Sequence, residues 1–194
     1  MQYEINLTKS LFTPLETEIL HSEQWSVTAK TYSSGVASLT IHNSLGYVEI
    51  LPFMGQIIWD ANFCGHSLRM ESMFSEPKPA TLIEDTYGCF AFHSGLLAAG
   101  CPGEGDNHPL HGEFACAPMD SAKLIVSNDA IRVVSCCEYL KGFGNHYLAN
   151  PAVTLRQDSS MFDIELRVQN LSKYASMPLQ YMCHMNYAFV TTEK

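Results

Sequence analysis

The chain has 194 residues, a length that fits one domain, and 46% of them are hydrophobic while 16% are charged. This balance indicates a globular domain and excludes a disordered chain. The formal net charge is -9 and no lysine or arginine blocks occur, so we expect neither nucleic acid nor membrane as a partner. One domain spanning residues 1–194 is predicted, with a neutral or cationic small ligand left open.

The N-terminal residues, the apolar runs and the cysteines indicate the cellular location of the protein. The N-terminal residues lack the basic-then-apolar order of a signal peptide, and no apolar run reaches membrane-spanning length. The seven cysteines are odd in number and form no CxxC pair, which argues against a disulfide framework or a structural zinc site. We therefore expect reduced thiols in a cytoplasmic protein.

Helix is predicted at only two places. Residues 11–20, LFTPLETEIL, place Thr13 as an N-cap before Pro14 at the first helical position. Residues 67–76, SLRMESMFSE, predict one further short helical turn. The remaining regular structure is expected to be β.

Apolar and polar residues alternate with a period of two along most of the chain, which predicts strands. Within 161–170, for example, Phe162, Ile164, Leu166 and Val168 share one face. Short strands at this spacing indicate a mainly all-β sandwich or barrel of antiparallel sheets with little helix. The predicted strands are 25–32, 36–43, 46–53, 56–63, 122–128, 130–140, 152–158, 161–170 and 177–190.

Residues 77–121 interrupt this pattern. The segment is rich in proline and glycine, yet it also carries aromatic and aliphatic residues that favour ordered packing. Long irregular segments in compact domains are usually functional or disordered. We therefore predict an irregular loop that bears the functional site.

Within that segment, residues 107–113 read NHPLHGE, and three interpretations remain open. The first is a metal site of the kind found in cupin-type sugar isomerases. The second is an ordinary loop with hydrogen-bonded histidines. The third is acid-base chemistry on a small polar substrate, since histidine titrates near neutrality. The metal site would use His108 and His111, completed from Glu104, Asp106, Glu113, His146 and His184.

A second notable histidine is His184, in the otherwise apolar and aromatic stretch QYMCHMNYAF. A lone polar side chain in such a strand has to find a partner. Two histidines from distant parts of the chain, His111 and His184, therefore suggest a shared pocket.

Three segments together resemble the aldose 1-epimerase, or galactose mutarotase-like, superfamily. They are GLLAAGCPGEGDNHPLHGEFACAP (95–118), FGNHYLANPAVTLRQD (143–158) and LRVQNLSKYASMPLQYMCHMNYAF (166–189). The order of the glycine-rich segment, the LHG histidine, the strand pair and the final histidine followed by asparagine is that of the superfamily. The resemblance is nearest to its branch known as DUF4432.

This resemblance implies a twisted galactose mutarotase-like β-sandwich, a supersandwich, whose concave face binds a monosaccharide. It implies interconversion of anomers by ring opening, with a carboxylate base, a histidine acid, and neither a metal nor an organic cofactor. His184 matches the general acid, His111 the histidine that binds the sugar near its ring oxygen, and Arg69 an arginine that holds hydroxyls. Further substrate-binding candidates are His108, Asn186 and Glu113.

The sequence also departs from the superfamily pattern. Met54 and Ile57 stand where many relatives carry an arginine and an aspartate, and Glu113 follows LHG where an arginine is common. Members continue beyond the final aromatic strand, and their glutamate base lies in that continuation, where this chain offers only Glu193. An incomplete sandwich leaves an open sheet edge, so we expect a homodimer that covers it. Non-catalytic sugar binding and a metal-dependent sugar isomerase of cupin type remain the alternative functions.

Overall fold

The computed structural model describes residues 2–189, and within them the chain forms two antiparallel sheets. Helical structure in this range is limited to two 3-10 turns, Lys9–Leu11 and Ile83–Thr86. The predicted mainly all-β sandwich is confirmed. In chain order the strands are β1 (Tyr3–Leu7), β2 (Thr17–His21), β3 (Ser26–Thr31), β4 (Ala37–Asn43), β5 (Gly46–Leu51), β6 (Ile57–Phe63), β7 (His66–Ser67), β8 (Ala91–Leu96), β9 (Ser121–Val126), β10 (Ala130–Leu140), β11 (His146–Arg156), β12 (Phe162–Asn170) and β13 (Gln180–Met185).

The sheet order determines which face carries a site. One sheet has five strands in the order β1-β9-β10-β11-β12, and the other has eight strands, β13-β8-β6-β5-β4-β3-β2 with β7 added beside β6. Between the sheets lies a core to which both contribute, with Leu39 and Ile41 from one and Leu124 and Val133 from the other. Each fully buried aliphatic side chain of this kind stabilises the fold by about 1.5–3 kcal/mol.

The eight-stranded sheet is covered on its outer face as well. Ile58 belongs to the core between the sheets, whereas its neighbours Ile57 and Trp59 belong to a second apolar cluster with Ile83 and Cys116. Because successive strand residues point to opposite faces, this second cluster lies on the outer face. Chain from the irregular segment therefore packs over the sheet, where a site can form beneath it.

The predicted helix at 11–20 is wrong. Lys9–Leu11 is a single 3-10 turn, and Thr17–His21 is strand β2, which pairs with β3. The Thr13 hydroxyl donates to the carbonyl of Leu15 at 2.7 Å instead of capping a helix. Pairing with the neighbouring strand overrides the weak helix signal.

The predicted helical turn at 67–76 is also wrong. The backbone of this segment runs extended beside residues 186–188. Met70 N–H donates to the Asn186 carbonyl at 3.0 Å, and Arg69 forms an isolated antiparallel bridge with Tyr187. Hydrogen bonds to a remote part of the chain thus satisfy the backbone that a helix would have satisfied locally.

The irregular segment 77–121 is less irregular than predicted, because it contains β8 in the middle of the large sheet. All six residues of Ala91–Leu96 are buried, including His93 and Ser94. A strand buried on both faces shows no alternation of apolar and polar residues, which is why its pattern was not recognised. The remainder of the segment wraps around this strand.

The two sheets end in unpaired strands on the same side. Within residues 2–189, β12 pairs only with β11, and β13 pairs only with β8. An open cleft of about 990 Å³ lies between them, lined by Phe162 and Ile164 of β12 and by Cys183 and Met185 of β13. No helix in the described part of the chain is long and apolar enough to cross a membrane.

Candidate functional site

The site begins with two histidines that the fold brings into contact. His184 on β13 is the cross-strand partner of Phe92 on β8, and the two rings stack at 4.7 Å with an interplanar angle of 14°. His111 approaches from the segment that follows β8, and its ring centroid lies 4.6 Å from that of His184 at 73°. The two histidines that the sequence suggests share a pocket are therefore in ring contact, and the pocket itself stays a prediction.

The backbone at His111 adopts the left-handed conformation, with φ at 63°. Such a conformation costs a non-glycine residue about 1–3 kcal/mol, so surrounding contacts must enforce it. Gly95 N–H donates to the His111 carbonyl at 3.0 Å, and His111 N–H donates to the Gly100 carbonyl at 2.8 Å. The Ser94 hydroxyl donates to the same His111 carbonyl at 3.2 Å.

Gly112, which follows His111, allows two parts of the protein's own backbone to pack closely. A Cβ placed on Gly112 would lie 2.0 Å from the Ala98 carbonyl oxygen and 2.6 Å from that of Gly95. The close neighbour is thus the protein's own backbone, and Gly112, with φ at 79°, is required for loop packing.

Hydrogen bonding favours one tautomer of His111. Its Nδ1 lies 3.2 Å from the Ser94 hydroxyl oxygen, and the single proton of that hydroxyl is used on the His111 carbonyl. In the hydrogen bond between Ser94 and His111, Nδ1 therefore carries the proton and donates it to the hydroxyl oxygen. This tautomer leaves a lone pair on Nε2. Burial lowers the pKa of His111, the nearby charge of His184 lowers it further, and the charge of Glu84 opposes both.

His184 is held by a tyrosine. Its Nε2 lies 3.1 Å from the Tyr87 hydroxyl, and the two rings meet edge-on at 5.8 Å. Its Nδ1 is buried and has no hydrogen-bond partner among the described residues. A neutral imidazole has one donor and one acceptor nitrogen, so one of them is left unsatisfied, at a cost of about 1–3 kcal/mol. Burial lowers the pKa of His184, in agreement with a neutral ring.

A β-bulge in β6 brings two side chains close to Arg69, the arginine predicted to bind sugar hydroxyls. Glu49 pairs with Asp60 and Ile50 pairs with Ile58, so Trp59 is the extra residue on β6. Bulges re-aim side chains, and they are common next to functional sites. Here Trp59 and Asp60 both come into reach of Arg69.

Arg69 uses these two neighbours and one backbone group. Its Nε lies 3.4 Å from Asp60 Oδ1, and its guanidinium carbon is 5.2 Å from the centre of the Trp59 ring. Its Nη1 donates to the Gly88 carbonyl at 3.0 Å, one residue beyond Tyr87. Arg69 is therefore attached to the same segment as the tyrosine that holds His184, while about a quarter of its side chain remains exposed.

Glu113 is occupied by the loop itself. Its carboxylate accepts hydrogen bonds from the N–H groups of Leu96 and Leu97 and from the Tyr147 hydroxyl, the nearest at 2.9 Å. These bonds attach the segment after β8 to the five-stranded sheet. Its predicted role as a sugar ligand stays a prediction, whereas its role in the loop follows from these contacts.

Two other predicted ligands also bond to the protein. Asn186 is buried, and its amide donates to the Cys89 carbonyl at 3.0 Å. His108 turns Nδ1 toward the Pro109 carbonyl at 2.9 Å and Nε2 toward Asp106 at 3.9 Å. Neither residue contacts the two histidines, and their roles as sugar ligands stay predictions.

Some interpretations from the sequence gain no geometric support. Among residues 2–189, no group of three or more His, Cys, Asp or Glu side chains is arranged to hold a metal ion. The cupin-type alternative therefore lacks a ligand set in this range. Glu193, the remaining candidate near the end of the chain, lies outside the described residues.

Sequence reasoning missed three side chains that complete the site: Tyr87, Ser94 and Asp60. Tyr87 and Ser94 lie in the segment predicted to be irregular, where no pattern indicates what they face. Asp60 looked like an ordinary polar residue of an alternating strand, because a bulge cannot be read from alternation alone.

Comparison with solved structures shows the class of fold. The chain is similar to a crystal structure from Klebsiella pneumoniae subsp. pneumoniae MGH 78578, of a protein named as a candidate aldose 1-epimerase. The TM-score is 0.71 and the identity 17%, over 89% of this chain and 48% of that one. No family model and no curated protein matches the sequence.

The chain thus has a β-sandwich fold like that of the matched protein. It spans about half the length of the matched protein, since 48% of that chain is covered. At 17% identity this likeness shows the fold alone. The narrower DUF4432 branch and the shortened C-terminus stay predictions.

Proposed function

We propose that this protein binds a monosaccharide over the outer face of its large sheet and interconverts its anomers by acid-base ring opening. The observation that carries the proposal is the contact of His111 with His184, two imidazoles delivered by remote segments and 4.6 Å apart. Pairs of titratable groups held in contact, in environments that shift their pKa values, are typical of acid-base sites.

The reaction needs two proton transfers. A base removes the proton of the C1 hydroxyl, an acid protonates the ring oxygen, and the bond between C1 and the ring oxygen breaks to give the open-chain aldehyde. Rotation about the bond between C1 and C2, followed by the reverse steps, gives the other anomer. We assign proton donation at the ring oxygen to His184 through Nε2, which exchanges the Tyr87 hydroxyl for the sugar oxygen, because its Nδ1 is buried. We assign orientation of the sugar to His111, whose Nε2 lone pair accepts from a hydroxyl.

Electrostatics support this division of roles. Burial lowers the pKa of both rings, and the charge of His184 lowers that of His111 further, so protonation of one disfavours protonation of the other. The pair therefore holds one proton more readily than two. A site of this kind can pass one proton to a substrate without accumulating charge.

Arg69 adds a means of binding the sugar. Its guanidinium has five N–H donors, of which the contacts with Asp60 and the Gly88 carbonyl occupy some. The exposed donors are available for sugar hydroxyls. Because the guanidinium carbon lies over the Trp59 ring, 5.2 Å from its centre, this contact helps to orient the arginine before any ligand arrives.

One observation favours the second candidate function, sugar binding without turnover. Within residues 2–189, no carboxylate forms a hydrogen bond or ion pair with either imidazole, and Glu84 affects His111 only through its charge. In this alternative the described residues bind the sugar without supplying a base to either imidazole.

We also propose that a second copy of the chain covers the open end of the sandwich. Both unpaired edges, β12 and β13, flank the cleft of about 990 Å³. Tyr187 lines this cleft and is 65% exposed, and Met182 on β13 is 38% exposed. A symmetric dimer pairs equivalent edges and removes this apolar surface from water.

The free thiols at all seven cysteines agree with the proposed cytoplasmic location.

Saturation-transfer NMR with D-glucose and D-galactose tests binding, and anomer exchange in the same samples tests turnover. The proposal predicts saturable binding that His111→Ala weakens, together with faster exchange than in buffer. Binding without faster exchange supports the second function. An absence of both contradicts the site.

A further inference from the structure

A second cavity lies away from the histidines. It is an open cavity of about 410 Å³ that is bounded by the first 3-10 turn, the turn after β3, residues 79–81, Cys116 and Pro118. Neither His111, His184 nor Arg69 lines it. We call this cavity the Lys9 pocket, after its single lysine.

The walls of the Lys9 pocket are apolar. Phe12 and Phe53 meet edge-on, with centroids 5.4 Å apart, and Phe12 and Val36 are buried. Cys116 belongs to the wall as a neutral thiol, because burial raises its pKa to about 12. A thiol in this state behaves as a small apolar group rather than a nucleophile.

Lys9 is the one charged side chain among the described residues that line the pocket. Its ammonium lies 6.0 Å from the centre of the Phe53 ring, and no carboxylate within residues 2–189 forms an ion pair with it. Asp85 and Glu84 do not line the pocket, although their charges add to the raised pKa of Cys116 in its wall. The Lys9 ammonium is therefore left without an anionic partner among the lining residues.

We propose that the Lys9 pocket binds a small amphipathic carboxylate, a medium-chain fatty acid, with its apolar body among Phe12, Val36 and Phe53 and its carboxylate at Lys9. A cavity of this volume is of the size that small-molecule sites have, with apolar walls and few polar groups. The rim lysine selects the anion over a neutral molecule of equal length. Thr31 and Thr81 also line the cavity.

The test is a titration of the full chain, labelled with ¹³C at the methionine methyl groups, with octanoate and separately with octanol. Met54 lines the pocket, whereas Met73 is 93% exposed and does not line it. The Met54 signal should shift saturably with octanoate while that of Met73 stays unchanged. Octanoate should bind more tightly than octanol.

Matched lysine variants locate the charge effect. Lys9→Met should weaken the binding of octanoate by about twofold to fivefold, the range for an exposed ion pair, and leave the binding of octanol unchanged. Lys78→Met is the control, since Lys78 lies 5.8 Å over the Phe74 ring in a similar contact but does not line the pocket. Ala80→Trp, which fills the cavity from its half-buried wall, should abolish the Met54 shift.

Three results would overturn the proposal. The first is a Met54 signal that octanoate leaves unmoved, and the second is equal affinity for octanoate and octanol. The third is an equal loss of affinity for octanoate in the Lys9→Met and Lys78→Met variants. Because Lys9 is exposed, its variant tests the pocket even where Ala80→Trp fails to fold.

Discussion

The imidazole of His184 stands at 73° to that of His111, 4.6 Å from it, although the two residues are far apart in the chain. This contact depends on the pairing of β13 with β8 and on the left-handed backbone at His111. Tyr87 and Ser94 orient the two rings through hydrogen bonds. No strand or loop pattern in the sequence predicts a role for either residue.

The Tyr87 hydroxyl is expected to orient His184. Tyr87→Phe keeps the ring contacts but removes the hydrogen bond to Nε2, so it should lower the free energy of unfolding by about 1 kcal/mol and reduce anomer exchange. Urea unfolding and exchange NMR measure the two effects. Tyr139→Phe is the control, because Tyr139 stacks on Tyr147 in the five-stranded sheet, on β10 and β11. Equal exchange rates in the two variants would remove Tyr87 from the site.

The Asp60 carboxylate is expected to act through Arg69. Asp60→Asn weakens the ion pair at 3.4 Å, so the guanidinium loses orientation and sugar binds more weakly, by about threefold to tenfold for a partly buried pair. The exchange rate at saturating sugar should change little. The control is Tyr47→Phe, which removes the hydrogen bond from the Tyr47 hydroxyl to Asp60 Oδ2, 2.8 Å long, and leaves the contact between Asp60 Oδ1 and the arginine in place. A lower saturated rate with unchanged affinity would contradict this positioning role.

His93 should make the fold sensitive to acid. Burial lowers the pKa of His93 to about 4, whereas the unfolded residue titrates near 6.5. Between these values the unfolded chain binds the extra proton, so the free energy of unfolding is highest above pH 6.5. It should fall by up to ~3 kcal/mol as pH drops toward 4.

His93→Gln retains a polar partner for the Tyr181 hydroxyl and removes the titration. Urea unfolding at pH 7 and pH 4.5 should therefore show a smaller loss than in the unmodified chain. His66→Gln, at an exposed position, should leave the loss unchanged. Equal pH dependence in the His93 variant and the unmodified chain would show that another group is responsible.

The open end of the sandwich predicts association. Light scattering over a range of concentrations should give the mass of two chains. Met182→Lys, which places a charge on the exposed edge strand β13, should shift the equilibrium toward one chain. Leu15→Lys is the control on a different exposed apolar residue. A single-chain mass at all concentrations would contradict the dimer.

The sequence predicted the strands whose faces differ, because alternation marks a half-buried strand. Strand β12 shows this directly, with Ile164 and Leu166 half-buried and Asp163 and Glu165 exposed. The sequence pattern does not indicate β8, because both faces of that strand are buried, and it predicts helix at β2, because Thr13 and Pro14 resemble a helix start. Local patterns cannot report such tertiary effects.

For the candidate site, the sequence could suggest that His111 and His184 lie together, because each is a polar residue in a context that requires explanation, and the structure places their rings in contact. It could not predict that Glu113 and Asn186 bond to the protein's own backbone, since that depends on which loop lies opposite each side chain. Nor could it predict the bulge at Trp59, which brings Asp60 to Arg69. Such contacts depend on register between strands rather than on composition.

Polarimetry of freshly dissolved α-D-glucose and α-D-galactose tests the central claim most directly. The account predicts that the unmodified chain speeds the approach to anomeric equilibrium, that His184→Ala does not, and that His66→Ala, altered at an exposed histidine, behaves as the unmodified chain. Rates equal to the spontaneous rate for the unmodified chain, or equal acceleration by the His184 variant, would contradict acid-base catalysis at this pair.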